Sequence, residues 1–158
     1  HIALAFTVLV EPYGDPYARG TIRGITRGTT RAQLVRATVE SLAYQVWDVI
    51  RAMEEDAHIS MKSLKVDGGA CANDFLMQFQ ADLLHAQVER PSCIETTALG
   101  AAYLAGLAVG YWKNTDDIRK NWALQNRISP QMEREERLAR QNGWQTEVKK
   151  APHREKDD

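Results

Sequence analysis

The stretch from Leu64 to Leu83 constrains this chain more than any other. Leu64, Lys65 and Val66 read as a short strand. They run straight into Asp67-Gly68-Gly69-Ala70, and a helix begins near Asn73 with Leu76, Phe79 and Leu83 turned inward. A strand feeding directly into a helix belongs to an α/β fold. The two glycines and two alanines between Gly68 and Ala72 strip side-chain bulk from the strand's exit. Backbone N–H groups there are open to a flat or anionic ligand, and a helix N-terminus adds partial positive charge. Ligands of open α/β sheets collect at this carboxyl edge of the strands. The same residues also suit a tight connection that binds nothing, and spacing alone leaves both readings open. No Gly-Lys-Ser/Thr follows the glycines, and their spacing is not G-x-G-x-x-G. Asp67 is either a metal ligand or base, or an acceptor for the turn that follows it, which is the ordinary role. Asn73 fits a base-edge ligand and a helix cap equally well.

Around this unit the chain reads as alternating elements. Ile2 to Leu9 is apolar enough for a strand, and Glu11 to Gly20 is loop chemistry with Pro12, Gly14, Asp15 and Pro16. Thr21 to Ile25 is a short extended piece. A long helix is expected over Arg31–Ala57, opened by a capping box of Thr30 and Gln33. Its apolar stripe of Val35, Val39, Leu42, Val46, Val49 and Met53 is expected to face a core. Gln87 to Arg90 reads as a strand stopped by Pro91. A third helix runs from Thr96 or Thr97 to Gly110, with small residues on nearly every side, so its backbone should approach its neighbours closely. Two polar helices follow, one capped by Thr115 and one opened by Ser129 and Pro130. The tail from Lys149 to Asp158 is charged and expected to fray.

Composition excludes several classes. With 44% apolar and 26% charged residues the chain lacks the signature of disorder. A net charge of -1 carries no basic footprint for nucleic acid. The longest apolar stretch, Ala98 to Val109, is too short to span a bilayer. Two cysteines, Cys71 and Cys93, make no disulfide framework and point to a reducing, cytoplasmic setting. The chain opens at His1 with no secretory signal and reads as one entered in mid-protein. His1, His58, His85 and His153 are scattered, none at zinc spacing with a cysteine, and His85 fits a helix end. Cys71 has no cationic partner visible in sequence, so it is not read as reactive. Ser41 and Ser92 lack a base. Trp47, Trp112, Trp122 and Trp144 read as packing residues. The Glu133 to Arg140 run reads as a solvated helix face, with a partner surface as the alternative.

Several separated segments then agree in order with one family. Gly20-x-Ile22-x-Gly24-Ile25, seven residues, and Gln33-Leu34-x-x-Ala37-Thr38-Val39-Glu40 match the second signature of the FGGY carbohydrate kinases. DPYARG at 15–20, VDGGACANDFLMQFQADLL at 66–84, VERP at 88–91 and TALGAAYLAGLAVGYW at 97–112 resemble the glycerol kinase group of that family, over about residues 5–150. Xylulokinase-like relatives carry Lys-Ser where Cys71-Ala72-Asn73 stands. The family has glycines where Val8 and Val10 stand and a Trp where Gly14 stands.

The resemblance implies two actin-like domains on ribonuclease-H-like cores, with the active site between them. This chain would be part of the C-terminal actin-like domain, without the N-terminal domain and the upstream antiparallel strands. Residues 1–112 would form the nucleotide side, 113–150 a helical extension and 151–158 a charged tail. Gly69 and Asn73 would lie at the adenosine end of the ATP site. The implied activity moves the γ-phosphoryl of Mg-ATP to glycerol and gives sn-glycerol 3-phosphate. The family's catalytic aspartate, glycerol-binding residues and phosphate-contacting segment lie upstream of His1. The chain would therefore hold no catalytic residue and no Mg2+ ligand, and would be inactive alone. A homo-oligomer, and a regulatory protein at the C-terminal helix, are the implied protein partners, with no nucleic acid and no membrane span. Another FGGY sugar or polyol kinase, and a non-catalytic remnant that only packs against a partner, are the alternatives.

Overall fold

Helices laid on a small mixed sheet make up the fold, as a computed structural model describes it over residues 2–3, 21–120 and 124–149. The expected strand beyond residue 3, the loop at 11–20, residues 8, 10 and 14, Trp122 and the tail from 150 onward lie outside the described residues. The elements are β1 (Ile2–Ala3), β2 (Thr21–Ile22), α1 (Arg31–Ala57), β3 (Ser63–Lys65), α2 (Asp74–Leu84), β4 (Gln87–Pro91), α3 (Thr96–Ala108), α4 (Thr115–Arg119), β5 (Leu124–Ile128) and α5 (Arg134–Lys149). β1 and β2 pair antiparallel. The second sheet has the order β3-β4-β5, parallel between β3 and β4 and antiparallel between β4 and β5.

α1 starts where its capping box predicts. Thr30 Oγ1 accepts from the Gln33 N–H at 3.3 Å, and Gln33 Oε1 accepts from the Thr30 N–H at 2.9 Å. Its buried face is not the expected one. Val35 and Met53 are 55% and 59% exposed, and of the stripe only Val39 packs against the core. The buried residues are Ser41, Ala43, Tyr44 and Asp48. At 3.6 residues per turn, Ser41, Tyr44 and Asp48 sit about half a turn around the helix from the stripe. They win because they meet α2 and α5. Tyr44 stacks on Trp144 at 4.9 Å and meets Phe79 edge-on at 5.4 Å, and the Trp144 Nε1–H donates to Asp48 Oδ2 at 2.6 Å. The stripe instead opens, with Phe75, into an apolar groove lined by Arg31, Ala32, Val35, Arg36 and Val39.

The core joins Tyr44, Leu76, Met77, Phe79, Leu83, Val88 and Trp144. α2 sits at its centre, packed on α1 and touching β4, β5 and α5. Leu76, Phe79 and Leu83 point inward as their spacing predicts.

Three expectations after Pro91 are corrected. Among the described residues α3 brings little of its backbone against other elements: Leu104 is 71% exposed, Val109 just past its end is 82% exposed, and Gly106 is its one buried residue. A side chain at Gly106 would collide with the Trp112 ring, which folds back from the following turn. α4 is capped by Asn114, whose Oδ1 accepts from the Asp116 and Asp117 N–H groups at 3.0 Å, rather than by Thr115. The segment before the last helix is a strand, β5. Its register sets Glu89 opposite Arg127, joined by an ion pair at 3.0 Å. Its exposed Gln125, Asn126 and Arg127 hide the alternation a strand would show. α5 begins at Arg134, not at Ser129-Pro130, because Asp82 Oδ1 accepts from the Gln131 and Met132 N–H groups at 2.6 and 3.1 Å and holds that stretch out of the helix. No helix among the described residues is long and apolar enough to cross a membrane.

Candidate functional site

The turn that leaves β3 is built by backbone hydrogen bonds. Val66 N–H extends the pairing to β4 by donating to Glu89 O at 3.1 Å, and Gly68 N–H donates to Ile94 O at 2.8 Å. Cys71 N–H then reaches Gly68 O, and Asn73 N–H reaches Ala70 O, both at 3.1 Å. Residues Gly69–Ala72 therefore coil into one tight 3-10 turn. Gly68 has φ of 79°, a left-handed conformation that favours glycine. Gly69 is not left-handed, so its lack of a side chain serves space rather than backbone geometry. A Cβ at either position would meet nothing within 4 Å, so the strand exit is open ground.

Asn73 closes the turn and caps α2. Its Oδ1 accepts from the Leu76 N–H at 3.1 Å, and the residue is exposed. The cap bond assigns the amide oxygen, which leaves the Nδ2 group with two hydrogens to donate. Asp67 is also exposed, but its carboxylate accepts from the Thr96 hydroxyl at the start of α3, not from the turn that follows it. It ties the turn to α3. Among the described residues no group of three or more His, Cys, Asp or Glu could hold a metal ion.

Cys71 lies under the turn, buried, and burial pushes its thiol pKa up against the opposing Arg90 charge. That agrees with the unreactive reading. The cation that sequence did not reveal is Arg90. Its Nη1 donates to Cys71 O at 2.9 Å and to Asp74 Oδ1 at 2.8 Å. A signal for it existed: Arg90 and Val88 share the inward face of β4 at period two, and a charged residue on that face needs a partner. For Thr96 no signal existed, because its partner is 29 residues away.

The other sequence candidates are structural. His58 and His85 end α1 and α2 in left-handed conformations. Ser41 Oγ donates to Thr38 O at 2.7 Å within its own helix. Trp47, Trp112 and Trp144 pack against protein. The Glu133 to Arg140 run is solvated over most of its length, but Arg140 turns inward. It bonds Glu136 at 2.8 Å, lies 3.7 Å from Glu40 and covers the Phe79 ring at 5.5 Å.

Residues 1–109 match the FGGY family of carbohydrate kinases, C-terminal domain. The chain belongs to the FGGY family of carbohydrate kinases. This FGGY chain is 58% identical over 154 residues to glycerol kinase 1 of Clostridium tetani, covering 98% of itself and 31% of that protein. It is likewise 58% identical over 149 residues to the glycerol kinase of Lachnoclostridium phytofermentans, covering 94% and 30%. It therefore spans about a third of the length of the curated relatives it matches, and corresponds to a C-terminal portion of them. The crystal structure of Plasmodium falciparum glycerol kinase with ADP superimposes with a TM-score of 0.84 at 30% identity, over 98% of this chain and 31% of that one. Xylulose kinase from Rhodospirillum rubrum shares the fold, with a TM-score of 0.69 at 23% identity over 86% of this chain and 28% of that one.

Proposed function

We propose that the protein phosphorylates glycerol with ATP, giving sn-glycerol 3-phosphate, and that this chain supplies the adenosine side of the ATP site. The identity of 58% to a glycerol kinase over nearly the whole chain carries this reading. The turn's chemistry supports it. Gly68 and Gly69 leave room for a flat base or a ribose against backbone, and Asn73 keeps two amide hydrogens for a ring nitrogen or a hydroxyl. Both sit at the carboxyl end of β3, where α/β sheets place ligands.

Phosphoryl transfer rests on positioning and on stabilising charge at the phosphates, and Mg2+ bound with ATP supplies part of that charge. The Mg2+ ligands, the catalytic base and the glycerol pocket belong to chain outside residues 1–158, so the segment alone is inactive. The same reading makes the protein a cytoplasmic homo-oligomer, with α5 open to a regulatory partner.

The test is glycerol 3-phosphate formation by the full-length protein and by residues 1–158 alone. The full-length protein should turn over glycerol at about 1–100 per second and the segment not at all. Comparable turnover by the segment refutes the division of labour. A full-length protein that prefers a ketose or an aldonic acid to glycerol makes this another FGGY kinase.

A further inference from the structure

We propose that Arg90 is the positioning residue that sets the nucleotide turn, an inference that rests on reading Asn73 as a nucleotide contact. Arg90 is 9% exposed on the inward face of β4. A guanidinium so placed is costly unless it is bonded. Its Nη1 serves two acceptors at once, Cys71 O at 2.9 Å and Asp74 Oδ1 at 2.8 Å. Those acceptors lie two residues before and one residue after Asn73. One cation on the sheet thus pins both sides of the residue whose amide faces the ligand.

Two effects follow from that placement. The first is geometric. The Cys71 carbonyl belongs to the 3-10 turn and Asp74 opens α2, so the bond pair fixes how turn and helix meet. Asn73 then holds its cap bond and its amide direction before any ligand arrives, which removes an ordering cost from binding. The second is electrostatic. Asp74 projects an 84% exposed carboxylate at a helix N-terminus, close to where a nucleotide would approach. Arg90 offsets that negative charge from beneath. Both effects act through neighbours, so Arg90 itself touches no ligand.

The structure also supplies an internal gauge. Cys71 is buried in the pinned turn, while Cys93 is exposed. In the full-length protein, maleimide labelling mapped by peptide should modify Cys93 quickly and Cys71 slowly. Arg90→Met should raise the Cys71 rate and weaken ADP binding, measured by calorimetry, by about tenfold, the loss of one charge-assisted hydrogen bond. Arg90→Lys should recover part of both effects, since an ammonium reaches one acceptor. Asp74→Asn keeps the Cys71 bond and removes the carboxylate charge that Arg90 offsets, so its ADP affinity should stay within about twofold of wild type. This variant carries the test if Arg90→Met fails to fold. Glycerol affinity should stay within about twofold throughout.

Three results overturn the inference. One is an Arg90→Met protein with exposed Cys71 but unchanged ADP affinity, which makes Arg90 a fold residue only. Another is no recovery by Arg90→Lys together with a fall in ADP affinity of about tenfold or more in Asp74→Asn, which keeps the Cys71 bond. The third is a wild-type protein that binds no ADP, or one whose ADP affinity ignores Asn73→Ala. That last result removes the nucleotide reading as well, whereas the first two leave it standing.

Discussion

Replacing Asn73 by aspartate and by alanine separates the helix cap that this side chain makes from the ligand contact proposed for it. The cap uses Oδ1, which accepts from the Leu76 N–H at 3.1 Å. Aspartate keeps an oxygen there, and its charge at a helix N-terminus adds about 0.3–1 kcal/mol before repulsion from Asp74 next to it. Alanine loses the cap, at about 1 kcal/mol. For a domain of this size that is a fall of about 2–4 °C in Tm. Stability should therefore rank aspartate near wild type and alanine below both. Ligand binding should rank differently. Asn73→Asp removes both Nδ2 hydrogens, so the proposed contact to adenosine should be lost with the fold intact. A net hydrogen bond is worth about 0.5–1.5 kcal/mol, or about two- to twelvefold in affinity. Asn73→Ala should lose at least as much. Both effects should fall on KM for ATP and spare kcat, as uniform binding of adenosine in ground and transition states requires. The assay is a thermal melt with ATP and glycerol saturation curves for the three proteins at full length. An Asn73→Asp enzyme with wild-type KM for ATP refutes the donor argument. An Asn73→Ala protein that melts with wild type refutes the cap.

The two glycines should respond differently. Gly69→Val, with nothing within 4 Å of a Cβ, should leave the melt unchanged and raise KM for ATP, whereas Gly68→Ala should also lower stability by about 1–3 kcal/mol because a φ of 79° with a ψ of 169° is backbone that essentially only glycine adopts. Residues 1–158 alone should self-associate through the exposed stripe of α1, and sedimentation should show Val35→Glu with Met53→Lys shifting the chain toward monomer; a monomeric wild-type segment at all concentrations contradicts this. Burial raises the Tyr44 pKa to about 12, with Glu40 adding to the rise and Arg140 opposing it. The folded state then holds the phenol proton more tightly than the unfolded chain, so this contribution is complete below pH of about 10 and is lost as pH rises toward about 12. Tyr44→Phe should flatten that alkaline limb in denaturant titrations at pH of about 9–12, and an unchanged limb assigns it elsewhere.

Local chemistry was legible in this sequence wherever both partners were close in the chain. Thr30 and Gln33 announced the start of α1, and Asn73 announced its cap three residues before Leu76, because a capping bond spans a fixed short distance. The Gly68-Gly69 turn was legible for the same reason. Illegible features were those settled by partners far along the chain. Asp82 holds the segment before α5 across 49 and 50 residues, so Ser129 and Pro130 could not reveal that no helix starts there. Arg90 meets the turn across 19 residues. The α1 faces carry the sharper lesson. Hydrophobic periodicity says that a face wants cover, but not which cover is at hand. Among the described residues α2 and α5 take the face of Ser41, Tyr44 and Asp48, because Trp144 can stack on one and bond another. That choice leaves Val35 and Met53 outward while the turn at residues 68–73 stays built. A piece of sheet, one helix and the first residue of another shape that turn, since its bonds come from β3, β4, α2, the loop before α3 and Thr96 at the start of α3, all inside residues 63–96.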